Sequence, residues 1–274
     1  CLVMYSSEER NDRWWRHSGK YGWFNSGHSS GGGPLLEGLC AMYARTGDRR
    51  YLDFAMQRGR HKMDVDTIHY YPEPEGWRVG AMRRHGGFDH FAGNAEPSGA
   101  HTLINGLPDL YFLTGYQRAA DVALLVADSK MKQDLSFSAT REGLTDANAF
   151  ILAHLIKPDP AYLDRVVRYF GRHVEAQKQP SWPAFWIDYA TAPIRELLTV
   201  GDAAASDLAN RAFLVDYALL GRLGGAGEAA LAYEIQPTAE SYRLVAAQFE
   251  RPPPVTPKRT ILNSAGVLNA LPHM

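Results

Sequence analysis

The fold is decided by residues 31–64, GGGPLLEGLCAMYARTGDRRYLDFAMQRGRHKMD. Apolar residues recur every three to four positions on both sides of a Thr-Gly dipeptide, which is the period of an α-helix. Gly47 suits a helix C-terminus, and Asp48 suits the N-cap of a following helix. The stretch therefore predicts a helical hairpin with a tight turn.

The same pattern returns in residues 98–131, SGAHTLINGLPDLYFLTGYQRAADVALLVADSKM. Aligning Gly38 with Gly106 also aligns Tyr43 with Tyr111 and both Thr-Gly turns. Two weaker copies occupy residues 146–177 and 184–221, and a last helix is predicted from about Ala239 to Gln248. Repeated hairpins of this length are typical of solenoids and of closed helical rings.

We favour the ring because the copies differ strongly and carry large polar and aromatic insertions. The predicted fold is all-α, an (α/α) toroid of antiparallel helical hairpins that is incomplete at its N-terminus. Residues 1–274 are expected to form one such domain from a larger multidomain protein, with residues 252–274 as a C-terminal tail.

Composition excludes several classes of partner. The formal net charge is −1 and the pI is about 6.9, without the basic excess that nucleic-acid binding or an anionic membrane surface requires. No apolar run approaches the roughly 20 residues of a membrane-spanning helix. The Walker-type nucleotide-binding loop and the HExxH and paired CxxC zinc motifs are absent from the sequence. We expect no nucleic acid, no membrane and no resident cofactor, with calcium left open.

Two polar segments precede the first helix of a hairpin. Residues 13–32 read RWWRHSGKYGWFNSGHSSGG, and an insertion of roughly 25 residues lies within positions 64–101. Both should emerge on one rim of the ring and face each other across a cleft. The candidate site residues in these segments are Trp23, His28, His69, Tyr71, Trp77, Arg84, His85, Asn94 and His101. Two further candidates, Glu37 and Asn105, are polar residues at matching repeat positions, each directly before the aligned glycine.

Three kinds of chemistry fit that set. In β-elimination beside a uronic acid, Arg84 and Asn94 would neutralise the carboxylate, while two of His85, His101 and Tyr71 would serve as base and acid. Trp23 and Trp77 would stack on sugar rings. Glycoside hydrolysis would need two carboxylates, and the insertion contains six acidic residues with no distinctive spacing that selects a pair. Asp64, Asp66 and His69 could instead hold a metal, or the two aspartates could simply end a helix in solvent.

The blocks YGWFN, YARTGD, MDVDTIH, RRHGGFDHF and SGAHTLINGLPDLYFLTG together resemble the toroid domain of exo-acting rhamnogalacturonan lyases and their uncharacterised relatives, over residues 14–130. The resemblance implies a polysaccharide lyase acting on a rhamnogalacturonan or similar uronate polymer, β-sandwich domains elsewhere in the full chain, and an extracellular or periplasmic setting. A glycoside hydrolase of uronides and a non-catalytic sugar-binding toroid are the alternative functions.

Overall fold

A computed structural model describes residues 29–82, 102–132, 141–176, 187–220 and 226–250. The chain forms two compact units, residues 1–135 and residues 136–274. The single-domain organisation stays a prediction. No helix in the described ranges is long and apolar enough to cross a bilayer.

The described part of unit 1 contains two helical hairpins. Its helices are α1 Ser29–Thr46, α2 Arg49–His61, α3 Leu107–Thr114 and α4 Gln117–Lys132. Helix α1 packs against α2, and α3 packs against α4 and also against α1 and α2. The two Thr-Gly turns have the predicted geometry, with φ angles of 67° at Gly47 and 69° at Gly115. The Asp48 side chain accepts a hydrogen bond from Arg50 N, so it is the predicted N-cap.

Three further hairpins lie in the residues of unit 2 that the structure describes. Their helices are α5 Arg141–Ile156, α6 Pro160–Ala176, α7 Ile187–Val200, α8 Ala203–Leu220, α9 Ala226–Ile235 and α10 Ala239–Glu250. The first helices pack in sequence, α5 on α7 and α7 on α9, while α6 packs on α8. First and second helices of successive hairpins thus form separate layers. The last helix begins where expected, with Thr238 Oγ1 accepting from Ser241 N.

Burial explains which layer is internal in unit 2. Every residue from 143 to 153 of α5 is buried, whereas α6 buries one stripe that includes Tyr162, Val166 and Phe170. A helix that is buried all round lies between other elements, and an amphipathic helix covers it. Gly143 allows α6 to pack closely against α5, because a Cβ at this position would lie 2.1 Å from the Tyr169 ring.

The segment after α2 makes a compact turn and loop. A π-helical turn, Lys62–Asp66, continues α2. The chain then forms a short ribbon, with an antiparallel bridge between Thr67 and Met82, and a 3₁₀ turn, Gly76–Arg78. Gly80, at φ 87°, fits tightly on α4, since a Cβ there would lie 2.6 Å from Ser129 Cβ. Packing against α4 therefore fixes the base of this loop.

Candidate functional site

The described residues include five of the predicted site residues. These are Glu37, His69, Tyr71, Trp77 and Asn105, all in unit 1. The other predictions lie outside the described residues, namely Trp23, His28, Arg84, His85, Asn94 and His101. Their assignments stay predictions.

Glu37 and Asn105 are in direct contact, although they are 68 residues apart in sequence. Asn105 Nδ2 donates a hydrogen bond of 3.2 Å to Glu37 Oε2. Gly106 makes the approach possible, because a Cβ on it would lie 2.5 Å from the Glu37 backbone nitrogen. Its φ of 81° also favours glycine. The matching repeat positions of these two polar residues thus correspond to a real pair between α1 and the start of α3.

Asp109 joins this pair and was missed by the sequence analysis. It lies in the first turn of α3, four residues after Asn105, and its charge acts together with that of Glu37 on Cys40. Burial raises the pKa of its carboxyl to about 6. In the sequence, an aspartate in the first turn of a helix has the ordinary position of a residue that stabilises the helix N-terminus, so no local signal identified it.

The carboxyl groups of Asp109 and Glu37 both lie near the thiol of Cys40. Burial, and then the charges of Asp109 and Glu37, raise the pKa of its thiol far above the usual range. Its Sγ lies 4.0 Å from the Gly106 carbonyl oxygen. Cys40 is therefore a small core residue, and both carboxyl groups lie close enough to influence its ionisation.

The loop after α2 presents aromatic side chains around one guanidinium. Arg78 Cζ lies 4.9 Å from the Tyr71 ring centroid and 5.2 Å from that of Trp77. Trp77 is 54% exposed and Tyr70 is 80% exposed. Large aromatic side chains this open to solvent can stack on a flat ligand such as a sugar ring. Tyr70 and Arg78 had not been selected from the sequence.

This loop and the Glu37–Asn105 pair are joined through one hydrogen bond. Met82 N, at the end of the ribbon, donates to Thr102 Oγ1 at 3.1 Å. Three residues then lead to Asn105, a length of chain that spans at most about 11 Å. The aromatic loop and the acid–amide pair therefore belong to one region of unit 1.

His69 is held in one tautomer by the backbone. Its Nε2 lies 2.5 Å from the Met63 carbonyl oxygen. A carbonyl oxygen only accepts, so Nε2 carries the hydrogen and the neutral ring keeps a lone pair on Nδ1. His69 thus closes the end of the preceding helical segment through this hydrogen bond, while its side chain is exposed.

The three candidate metal ligands, Asp64, Asp66 and His69, each contact another residue of the protein. Asp64 pairs with Arg118 at 2.5 Å, and Asp66 lies 3.8 Å from Arg58. Asp66 is 2% exposed, so the alternative of a solvent-exposed helix end is wrong for this residue. No group of three or more acidic, histidine or cysteine side chains within the described ranges has an arrangement that could hold a metal ion.

Comparison with known proteins identifies the fold. No family model matches the chain, and no curated protein sequence matches it. Among solved structures, the chain is similar to a cellobiose 2-epimerase from Bacillus thermoamylovorans B4167. The TM-score is 0.61 at 12% sequence identity, over 90% of this chain and 88% of the epimerase chain. The protein therefore has the α/α-toroid fold that the repeated hairpins predicted.

Proposed function

We propose that this toroid belongs to a carbohydrate-active enzyme, and that its reaction is β-elimination beside a uronic acid in a rhamnogalacturonan or related polymer. The observation that carries the proposal is that unit 1 combines the exposed aromatic rings of Tyr70 and Trp77 with the hydrogen-bonded Glu37–Asn105 pair, and that the Met82–Thr102 hydrogen bond connects the two segments. Rings supply stacking surfaces for sugars, and carboxyl and amide groups supply hydrogen bonds to hydroxyl groups.

The proposed elimination divides into three tasks. A base removes the proton from C5, the C4–O bond breaks as the C4–C5 double bond forms, and an acid protonates the leaving oxygen. Two of Tyr71, His85 and His101 remain the proposed base and acid, while Arg84 and Asn94 would neutralise the sugar carboxylate. Trp23 and Trp77 would stack on sugar rings, and His28, His69, Glu37 and Asn105 would bind the substrate. The tautomer of His69 supports adding it to the proton acceptors.

A sugar epimerase is the second candidate, and the fold similarity favours it. Inversion at a sugar carbon next to a carbonyl and β-elimination next to a carboxylate both begin with loss of a proton from that carbon. Asp109, with a pKa of about 6, suits such a step because both of its protonation states are accessible near neutral pH. Glu37, close by, would supply a second carboxyl group.

Two activity assays on the full-length protein distinguish elimination from epimerisation. The protein is incubated with rhamnogalacturonan, polygalacturonate, ulvan and alginate, and the ultraviolet absorbance of a new C4–C5 double bond is followed. A rise with any polymer supports elimination and identifies the substrate class. In parallel, cellobiose is incubated in heavy water, where deuterium at C2 of the reducing sugar would support epimerisation. New reducing ends without either signal would contradict both and indicate hydrolysis. Binding without product would indicate a sugar-binding toroid.

Two substitutions link the activity to this region. Glu37→Gln and Tyr71→Phe keep the shapes of the side chains but remove a carboxylate and a hydroxyl group. Each is expected to lower kcat/KM by about 10²-fold or more if the group takes part in binding or proton transfer. The matched controls are Glu142→Gln and Tyr242→Phe in unit 2, both at exposed positions. Equal activity of all four variants would contradict the site.

A further inference from the structure

A second polar cluster in unit 1 consists of charged residues with almost no exposed surface. Arg58 in the last turn of α2 is 2% exposed, while Lys62 and Asp66 in the π-helical turn are 0% and 2% exposed. Arg58 Nη2 lies 3.8 Å from Asp66 Oδ2, and His61 Nε2 lies 3.4 Å from Asp66 Oδ1. The Asp66 carboxylate therefore lies close to the Arg58 guanidinium and the His61 ring, and its charge also acts on Lys62.

The donors of both cations lack hydrogen-bond acceptors. In the part of the chain that the structure describes, no acceptor bonds to Nε, Nη1 or Nη2 of Arg58, or to Nζ of Lys62. The two residues are four positions apart, so their side chains leave the helix on the same face. A set of cationic donors is thus gathered on one side of α2.

Burial without partners is energetically unfavourable for these groups. Buried donors in folded proteins are nearly always hydrogen-bonded, and a buried cation costs several kcal/mol unless an anion compensates it. Burial, followed by the charge of Arg58, lowers the pKa of Lys62 to about 7, and Asp66 opposes this effect only in part. Water can satisfy donors, but in the described part of the chain only Asp66 provides a compensating negative charge for the two cations.

We propose that Arg58 and Lys62 form a binding site for an oxyanion, of the carboxylate, sulfate or phosphate class. The planar guanidinium donates two parallel hydrogen bonds to such a group, and an ammonium adds a third donor with a full charge. With Asp66 retained, an anion of charge −1 would leave Arg58, Lys62, Asp66 and the ligand electrically balanced. This site is distinct from the acid–amide pair and does not depend on the proposed reaction.

The anion has two sources that an experiment can separate. It is either a free inorganic ion or the carboxylate of an acidic sugar. Thermal unfolding of the full-length protein is measured in sodium sulfate, and in sodium chloride of equal ionic strength. It is also measured with D-galacturonate and with neutral galactose. Because the cations are closed off from solvent, entry requires local opening, and long incubation precedes each measurement.

We expect an oxyanion at ten times its dissociation constant to raise the Tm of the wild type by about 3–5 °C relative to its control. Lys62→Met should abolish this difference and still fold, because it leaves the Arg58–Asp66 pair in place. Lys132→Met, at an exposed position on α4, should keep the full difference. Arg58→Met provides a second test of the same loss.

The pattern of Tm shifts identifies the source of the anion. A shift with sulfate alone assigns an inorganic ion, and a shift with galacturonate but not galactose assigns an acidic sugar. No shift in the wild type, or the same shift in Lys62→Met and Lys132→Met, would overturn the site. Loss of the shift in Lys62→Met together with no lyase activity would keep the anion site while rejecting the proposed reaction.

Discussion

Unit 1 contains two polar clusters that differ in how their polar atoms are satisfied. In the first, Asn105 donates to Glu37 across the contact between α1 and the start of α3. In the second, the donors of Arg58 and Lys62 have no hydrogen-bond acceptor among the described residues, and Asp66 is a distant counter-ion at 3.8 Å. Both clusters lie near the same packing contact, because Gly59 of α2 touches Leu36 and Leu110.

The difference distinguishes two uses of a buried polar group. A hydrogen-bonded pair has a fixed geometry before any ligand arrives, which suits recognition of a shaped substrate. A cluster with unsatisfied donors stays costly until a partner supplies charge and acceptors. The first cluster should therefore tolerate the absence of ligand well, and the second should respond strongly to any change in its charge.

The largest expected effect is at the counter-ion. Asp66→Asn would leave two buried cations without a carboxylate and should lower the free energy of unfolding by about 3–5 kcal/mol. Urea denaturation measures this change. The control is Asp64→Asn, whose ion pair with Arg118 is roughly half exposed and should contribute no more than about 1 kcal/mol. Equal effects would mean that the buried cluster has no special dependence on Asp66.

The next effect concerns the contact that supports the acid–amide pair. Gly106→Ala places a methyl group against the Glu37 backbone at a positive φ, and should cost about 2–4 kcal/mol. The matched control is Gly38→Ala at the equivalent repeat position, where a Cβ meets no atom within 4 Å. This control should be neutral or stabilise α1 by about 0.5–1 kcal/mol. A neutral Gly106→Ala in urea denaturation would show that the contact is looser than described.

The smallest effect depends on pH. The pKa of Asp109 is raised to about 6, so its protonated form stabilises the fold below the ordinary value of 3.8, and this stability is lost as the pH rises through about 6. Asp109→Asn should therefore raise the free energy of unfolding by about 1–2 kcal/mol at pH 7.5 and by less at pH 5. Asp53→Asn, at an exposed position on α2, is the control. A gain that is the same at both pH values would contradict the assignment.

Periodicity and turn residues were sufficient to predict the hairpins, since local signals decide where these helices start and stop. Gly47 and Asp48 act as a C-terminal glycine and an N-cap, as their positions indicated. The repeat alignment also related Glu37 to Asn105, because equivalent positions on successive hairpins approach each other when their first helices pack. This much of the candidate site could be read from the sequence.

The charged cluster could not be predicted in this way. Residues 58–66, RGRHKMDVD, have the composition of a solvated helix end, and charged residues are usually exposed. Arg58, Lys62 and Asp66 are nevertheless buried, at a π-helical turn that departs from the period of 3.6 and packs against α1 and α4. Tertiary packing overrides local preference here, and no pattern within one segment contains that information.

The burial of Cys40 between α1 and Gly106 makes it a natural reporter of motion. A thiol that is closed off from solvent, and whose ionisation is strongly disfavoured, reacts with an alkylating reagent only when its surroundings open. The labelling rate of this single side chain, followed by peptide mass, would measure how often the α1–α3 contact separates. Comparing that rate with and without a saccharide would show whether the ligand holds the contact closed.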